Sequence, residues 1–143
     1  MSGFSIERVA RSAAPGCRVA EDDYAVLQRM ASGHQPLSER YRDLLGAKLR
    51  GCIVYPSGGL PLNVVQLNTC FTYAIDGNRK DATILVRYPP SDLPPFALSL
   101  YTMRGLALLG LAEGETLTMT VAGGTSEDLE LVRVLREPAG EDR

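Results

Sequence analysis

Few residues in this sequence are of a type that does chemistry. His34 is the only histidine, which excludes a site built on several imidazole ligands. A Cys–His nucleophile pair would need Cys17, Cys52 or Cys70 to meet it in space. His34 instead falls in Gly33-His34-Gln35-Pro36, a stretch that reads as a solvated turn. The three cysteines are odd in number and far apart, which argues against a disulfide framework and against a zinc site. They read as small core residues in a reducing cytoplasm. Asp22-Asp23 suits a helix start, where the dipole favours carboxylates, better than a cation site. Asp76-Gly77-Asn78 opens like a calcium loop but lacks the later ligands, so it reads as a hairpin turn. No G-x-S-x-G, P-loop, G-x-G-x-x-G or H-E-x-x-H is present. The sequence therefore predicts no catalytic residues, no metal and no cofactor. One cluster points to binding. Tyr101-Thr102-Met103-Arg104 follows the proline-rich run Pro89–Pro95, and Tyr, Met and Arg are enriched at interfaces. The competing reading makes Tyr101 and Met103 plain core residues.

The elements that must position this cluster are legible in outline. Residues 1–20 mix small residues, Pro and Arg, and read as a flexible arm with room for a short strand at Phe4–Val9. Tyr24, Leu27 and Met30 recur at helical spacing after Glu21-Asp22-Asp23, and Gly33 and Pro36 end that helix. Ser38 caps a second helix carrying Tyr41, Leu44, Leu45, Lys48 and Leu49, with Gly51 as its stop. Together, residues 21–51 form a short antiparallel helical hairpin with His34 and Gln35 at its tip. Beyond it, Val65 to Ile75 alternates with a period of two and reads as one long strand. Further strands follow at Thr83–Tyr88, Phe96–Leu100, Leu117–Val121 and Leu129–Leu135, with a short apolar helix from Met103 to Leu109. The fold class is α+β: the hairpin, then an antiparallel sheet with one short helix over residues 52–137, then a tail at 138–143.

Composition narrows the function classes. The chain has 143 residues, of which 45% are hydrophobic and 22% charged, so one domain with a conventional core is expected. Fifteen bases against 17 acids leave no surplus for phosphate contacts, which argues against direct sequence-specific nucleic-acid binding. The acids gather at the end: residues 113–143 hold eight against three bases, a pattern that reads as a solvated strand edge and tail. No apolar run approaches the roughly 20 residues that span a bilayer, and the N-terminus lacks a signal-peptide core. A cytoplasmic address without membrane contact is the expectation.

The stretch Leu98-Ser99-Leu100-Tyr101-Thr102-Met103-Arg104-Gly105-Leu106-Ala107-Leu108-Leu109-Gly110 is followed by Glu113-Gly114-Glu115, Gly123-Gly124 and an alternating strand. It resembles the C-terminal domain of the Gre transcript-cleavage factors, with their pattern I-S-x-x-S-P-x-x-x-A-L-x-G. Val65–Thr69 and Ile84–Asp92 are similar to the family's earlier strands. Within the family the resemblance is to the short-hairpin branch, the regulator of nucleoside diphosphate kinase (Rnk-type) proteins, through Gly105-Leu106-Ala107-Leu108-Leu109-Gly110-Leu111. It covers about residues 21–137. The resemblance implies an FKBP-like domain that docks on RNA polymerase at the rim of its secondary channel. Tyr101, Thr102 and Met103 stand at the contact positions, with Arg104 beside them and Asp92 at the edge. Two departures follow. The hairpin tip Gly33-His34-Gln35-Pro36 lacks the carboxylates that hold magnesium in the family, which implies no transcript cleavage. Thr102-Met103 replaces Ser-Pro, which retunes the contact. Two other functions stay open beside this one: an FKBP-like binding module with a different partner, and a prolyl isomerase.

Overall fold

The computed structural model describes residues 17–120 and 122–135. The expected strand at Phe4–Val9, most of the arm and the tail lie outside them. In chain order the elements are β1 (Arg18–Ala20), α1 (Glu21–Ser32), α2 (Glu39–Gly51), β2 (Ile53–Tyr55), β3 (Cys70–Ile75), β4 (Asn78–Arg79), β5 (Thr83–Val86), β6 (Ala97–Ser99), α3 (Met103–Leu108), β7 (Thr116–Thr120) and β8 (Ser126–Leu135).

The α+β architecture is as expected. The first turn of α1 is acidic, Glu21-Asp22-Asp23. Two of these carboxylates cap distant backbone as well. Asp23 Oδ2 accepts from the Leu67 N–H at 3.1 Å and Glu21 Oε2 from the Ser57 N–H at 3.3 Å. Ser38 caps α2 by accepting from the Tyr41 N–H at 3.1 Å. The two helices of 12 and 13 residues span only about 18–20 Å each at 1.5 Å per residue. The Tyr24 hydroxyl ties them together by donating to the Leu49 carbonyl at 2.7 Å.

The main sheet runs β6-β5-β3-β8-β7, with β4 paired to β3. Pairing is antiparallel except for the parallel edge pair β5–β6. The Asp76-Gly77 turn, with φ of 52° and 85°, closes the β3–β4 hairpin as the sequence predicts. The long strand expected from Val65 is shorter in the structure, and β3 begins at Cys70. Val65 faces inward as its period demands and is fully buried. Its backbone, however, pairs with the helix-exit segment: its N–H donates to Leu111 O and its carbonyl accepts from Gly110, both at 3.0 Å. Asn68, at φ 68°, then turns the chain before β3. Periodicity reports which face a residue shows, not which backbone it pairs with.

A single core joins hairpin and sheet. Leu27, Met30, Tyr41 and Leu45 pack with Phe71, Leu85, Leu100, Leu106, Leu109, Leu129 and Leu131. At about 25 cal/mol per Å2 of apolar surface removed from water, this continuous burial is what holds the hairpin against the sheet.

The cysteine reading is corrected. Cys17 and Cys52 form a disulfide, while Cys70 is free. The cause is topological. β1 pairs in parallel with β2, placing Arg18 opposite Ile53. That register brings the residues just before each strand to a Cα separation of 4.6 Å across 35 positions of sequence. Spacing along a chain cannot reveal such a pairing when a whole hairpin lies between the partners.

Candidate docking site

The site is built at the turn from β6 into α3. Thr102 is the N-cap, extended at φ −95°, ψ 156°. Its Oγ1 accepts from the Gly105 N–H at 3.1 Å and donates to the Ser99 carbonyl at 2.7 Å. Ser99 is the hub beneath it. The Ser99 Oγ accepts from the Tyr101 N–H at 2.9 Å and donates to the Tyr88 carbonyl, tying in the proline-rich loop. Gly105 sits so close to this hub that a Cβ there would lie 2.0 Å from the Ser99 carbonyl oxygen. From the hairpin side, the buried Tyr41 hydroxyl donates to the Leu100 carbonyl at 2.5 Å. Burial, with a smaller contribution from the Tyr101 hydroxyl, pushes the Tyr41 phenol up from its ordinary pKa, so Tyr41 stays a hydrogen-bond donor throughout the physiological range. The turn is thus fixed from both sides by named hydrogen bonds.

Three of the expected site residues leave this turn in different directions. Tyr101 is half-buried and lines a groove of about 210 Å3 with Val26, Arg29, Gln35 and Arg87. Met103, the first helical residue, lines another of about 480 Å3 with Leu44, Met119, Arg40 and Asp43. Arg104 does not project freely. Its Nε and Nη2 donate to the two Glu127 carboxylate oxygens at 3.0 and 2.7 Å. This forked pair holds Glu127 below the usual carboxylate pKa. Arg104 is therefore a strut between α3 and β8. Asp92 is exposed in the proline-rich loop at φ 65°. The loop's one hydrogen bond to the turn comes from Ser99 to Tyr88 and does not involve Asp92.

The hairpin tip is a different environment. His34 is exposed, Gln35 half-buried. Gln35 lines the Tyr101 groove, so tip and turn meet there. The shortness of α1, already legible in the sequence, is the cause: a helix of about 18 Å cannot carry its tip far from the sheet.

Two further features bear on function. A larger cavity among the described residues, about 560 Å3, lies between α1 and the loops around Gly58 and Asn68 and shares Val26, Arg29 and Arg87 with the Tyr101 groove. Asp22, Asp23, Arg29 and Arg87 line it. Burial holds the Asp23 carboxyl above its usual pKa, against the opposing Leu67 hydrogen bond. Among the described residues, no three His, Cys, Asp or Glu side chains come together as a metal site. No described helix is long and apolar enough to cross a membrane.

The sequence matches no protein-family model and no curated protein. Solved structures are similar. The prokaryotic transcription elongation factor GreA/GreB from Nitrosomonas europaea superposes with a TM-score of 0.64 at 25% identity, covering 85% of this chain and 99% of that one. Gfh1 of Thermus aquaticus gives a TM-score of 0.43 at 13% identity over 86% of this chain and 100% of that one. The GreA factor homolog 1 (Gfh1) of Thermus thermophilus gives 0.38 at 14% over 83% and 98%. Strand order, hairpin and the turn at Thr102 all lie within a chain whose structure is thus similar to that of a Gre-type transcription elongation factor.

Proposed function

We propose that this chain is a transcription regulator of the Gre-like kind that binds RNA polymerase at the rim of its secondary channel and does not cleave RNA. The observation that carries the docking half is the backbone at Thr102. A residue preceding proline is driven to extended φ/ψ, and a proline at a helix's first position is tolerated because its missing N–H has no helical partner there anyway. Thr102 is extended and Met103 is the first residue of α3. The turn that a Ser-Pro pair would build is therefore kept here by Thr-Met, with the Thr102 hydroxyl capping the helix. Loss of the proline leaves the docking geometry in place and gives the surface a longer, more adaptable side chain.

The non-catalytic half rests on the tip. Magnesium chemistry needs hard oxygen ligands. The loop from Gly33 to Ser38 supplies no carboxylate, and Glu39 at the start of α2 stands alone beside it. The two short helices, of 12 and 13 residues, favour the short-hairpin, Rnk-type variant of the fold. A prolyl isomerase is disfavoured, since a pocket of that kind is lined by aromatics, and this chain has no Trp and three Phe, of which Phe71 is fully buried in the core.

The test is capture of core RNA polymerase by the purified chain, with and without excess Gre factor, followed by a cleavage assay on backtracked complexes. Displaceable binding without RNA shortening is expected. Met103→Asp should lose binding with the fold intact, because a carboxylate in a helix's first turn is electrostatically welcome. Robust RNA shortening would contradict the non-catalytic assignment. Polymerase-independent capture of another protein would favour a binding module with a different partner.

A further inference from the structure

The buried polar cluster at the base of the hairpin is used by none of this. Lys48 is 6% exposed and lies in the last turn of α2. Its Nζ donates to the carbonyls of Ala107, at 3.2 Å, and Leu109, where α3 ends. The third neighbour is a sulfur: Cys17 Sγ, at 4.0 Å. Charged groups near Lys48 are few. Glu115 acts on it from a distance, but that carboxylate is engaged by Arg18 at 3.4 Å and by the Ala112 N–H at 2.9 Å. Apart from the Cys17 sulfur, the hydrogen-bond partners of Nζ are carbonyls, so the charged form of Lys48 has no counter-charge in contact with it.

The two sulfurs of the bridge are unequal. Cys17 is 5% exposed and wedged against Gly110, where an added Cβ would lie 3.0 Å from its Sγ. Cys52 is half-buried, and so less enclosed than Cys17, at the C-cap of α2. An incoming thiolate reaches Cys52 more readily, and the thiol with the better-stabilised thiolate leaves faster.

We propose that the Cys17–Cys52 bridge is a thiol-exchange site for a dithiol reductant, with Cys52 the sulfur attacked, Cys17 the sulfur that leaves and Lys48 its counter-ion. The reductant's thiolate attacks Cys52 Sγ, a new S–S bond forms, and the Cys17–Cys52 bond breaks with its electron pair on Cys17. Lys48 donates an N–H to that thiolate. The reductant's second thiol then gives up its proton and attacks its own bound sulfur. Cys52 leaves and is protonated, and the reductant departs as a disulfide having given two electrons. The bridge encloses both hairpin helices in one covalent ring. Exchange therefore sets how firmly the base of the hairpin is tied to β1.

The experiment uses the full chain carrying Cys70→Ser. Brief exposure to glutathione, quenched with acid and mapped by mass spectrometry, should place the adduct on Cys52 by about tenfold over Cys17. Lys48→Met should slow reduction by dithiothreitol about tenfold at neutral pH. Should Lys48→Met not fold, Cys52→Ser decides. It leaves Cys17 beside an intact Lys48, and its thiolate absorbance should titrate below the ordinary thiol value of about 8.5. An adduct mainly on Cys17, a reduction rate unchanged by Lys48→Met, or a Cys17 thiol titrating at or above the ordinary value would each overturn the proposal.

Discussion

The turn at Ser99–Gly105 and the hairpin tip at Gly33–Ser38 sit at opposite ends of a scale of constraint. In the turn, the Ser99 hydroxyl, the Thr102 hydroxyl and the Tyr41 phenol account for five hydrogen bonds. In the tip, the Ser38 hydroxyl caps α2 and His34 points into solvent. A surface that must present side chains to a partner benefits from a rigid backbone, because less freedom is lost on binding. A tip that must hold a metal ion needs both rigidity and carboxylates. On the proposed reading this molecule uses the first kind of site, and the loop from Gly33 to Ser38 has no carboxylate for the second.

The glycines make the contrast measurable. Gly105→Ala puts a methyl group 2.0 Å from the backbone oxygen of Ser99, which cannot swing away. Thermal unfolding should show a loss of about 3 kcal/mol. Gly33→Ala meets the end of the Gln35 side chain at 2.4 Å, which can move, and comes no closer than 3.2 Å to backbone, at the Arg29 carbonyl oxygen. Its loss should stay within about 0.5 kcal/mol, the range of ordinary surface substitutions. Comparable losses at the two positions would erase the distinction.

The next effect comes from beneath the turn. Burial lowers the Lys48 pKa from 10.5 to about 7. Between those values the unfolded chain binds a proton that the folded chain does not, so stability rises with pH, by at most about 1.4 kcal/mol per unit. Denaturant midpoints should climb from pH 7 towards pH 10. The Tyr41 phenol, whose pKa is raised on folding, pulls the other way at still higher pH. Lys48→Met should flatten the climb.

Smaller effects sharpen the picture of the turn itself. Thr102→Ala removes the cap of α3 and should cost about 1 kcal/mol, while Thr102→Ser should cost little. Tyr41→Phe leaves the Leu100 carbonyl without its buried donor and should cost about 1 kcal/mol. Met103→Pro should change stability least, by a few tenths of a kcal/mol, because the preceding residue is already extended. A loss above about 2 kcal/mol would show that the Thr-Met turn is not the equivalent of Ser-Pro.

Much of this was legible in the sequence, for local reasons. The cap at Ser38, the Asp76-Gly77 turn and the inward face of α2 are set by neighbours a few residues away. The Tyr101–Arg104 cluster was found by residue type. What residue type could not supply was the Arg104–Glu127 pairing, across 23 positions, which turns a presumed docking arginine into a strut. The same limit hid the bridge from Cys17 to Cys52 and the sulfur neighbour of Lys48. Each depends on which segments lie side by side, and a period of two or 3.6 is silent on that. Val65 shows it in one residue: its side-chain direction was readable, but its backbone partner, Leu111, was not.

The most direct test of the central claim compares the two ends in one binding experiment. Core RNA polymerase is titrated with the wild-type chain, with Met103→Asp and with the tip variant His34→Ala. The account predicts wild-type binding that Gre factor displaces, the same affinity for His34→Ala, and loss of at least about tenfold for Met103→Asp, as expected when a contact at the centre of a small interface is removed. Unchanged affinity for Met103→Asp, or a loss confined to the tip variant, would contradict it.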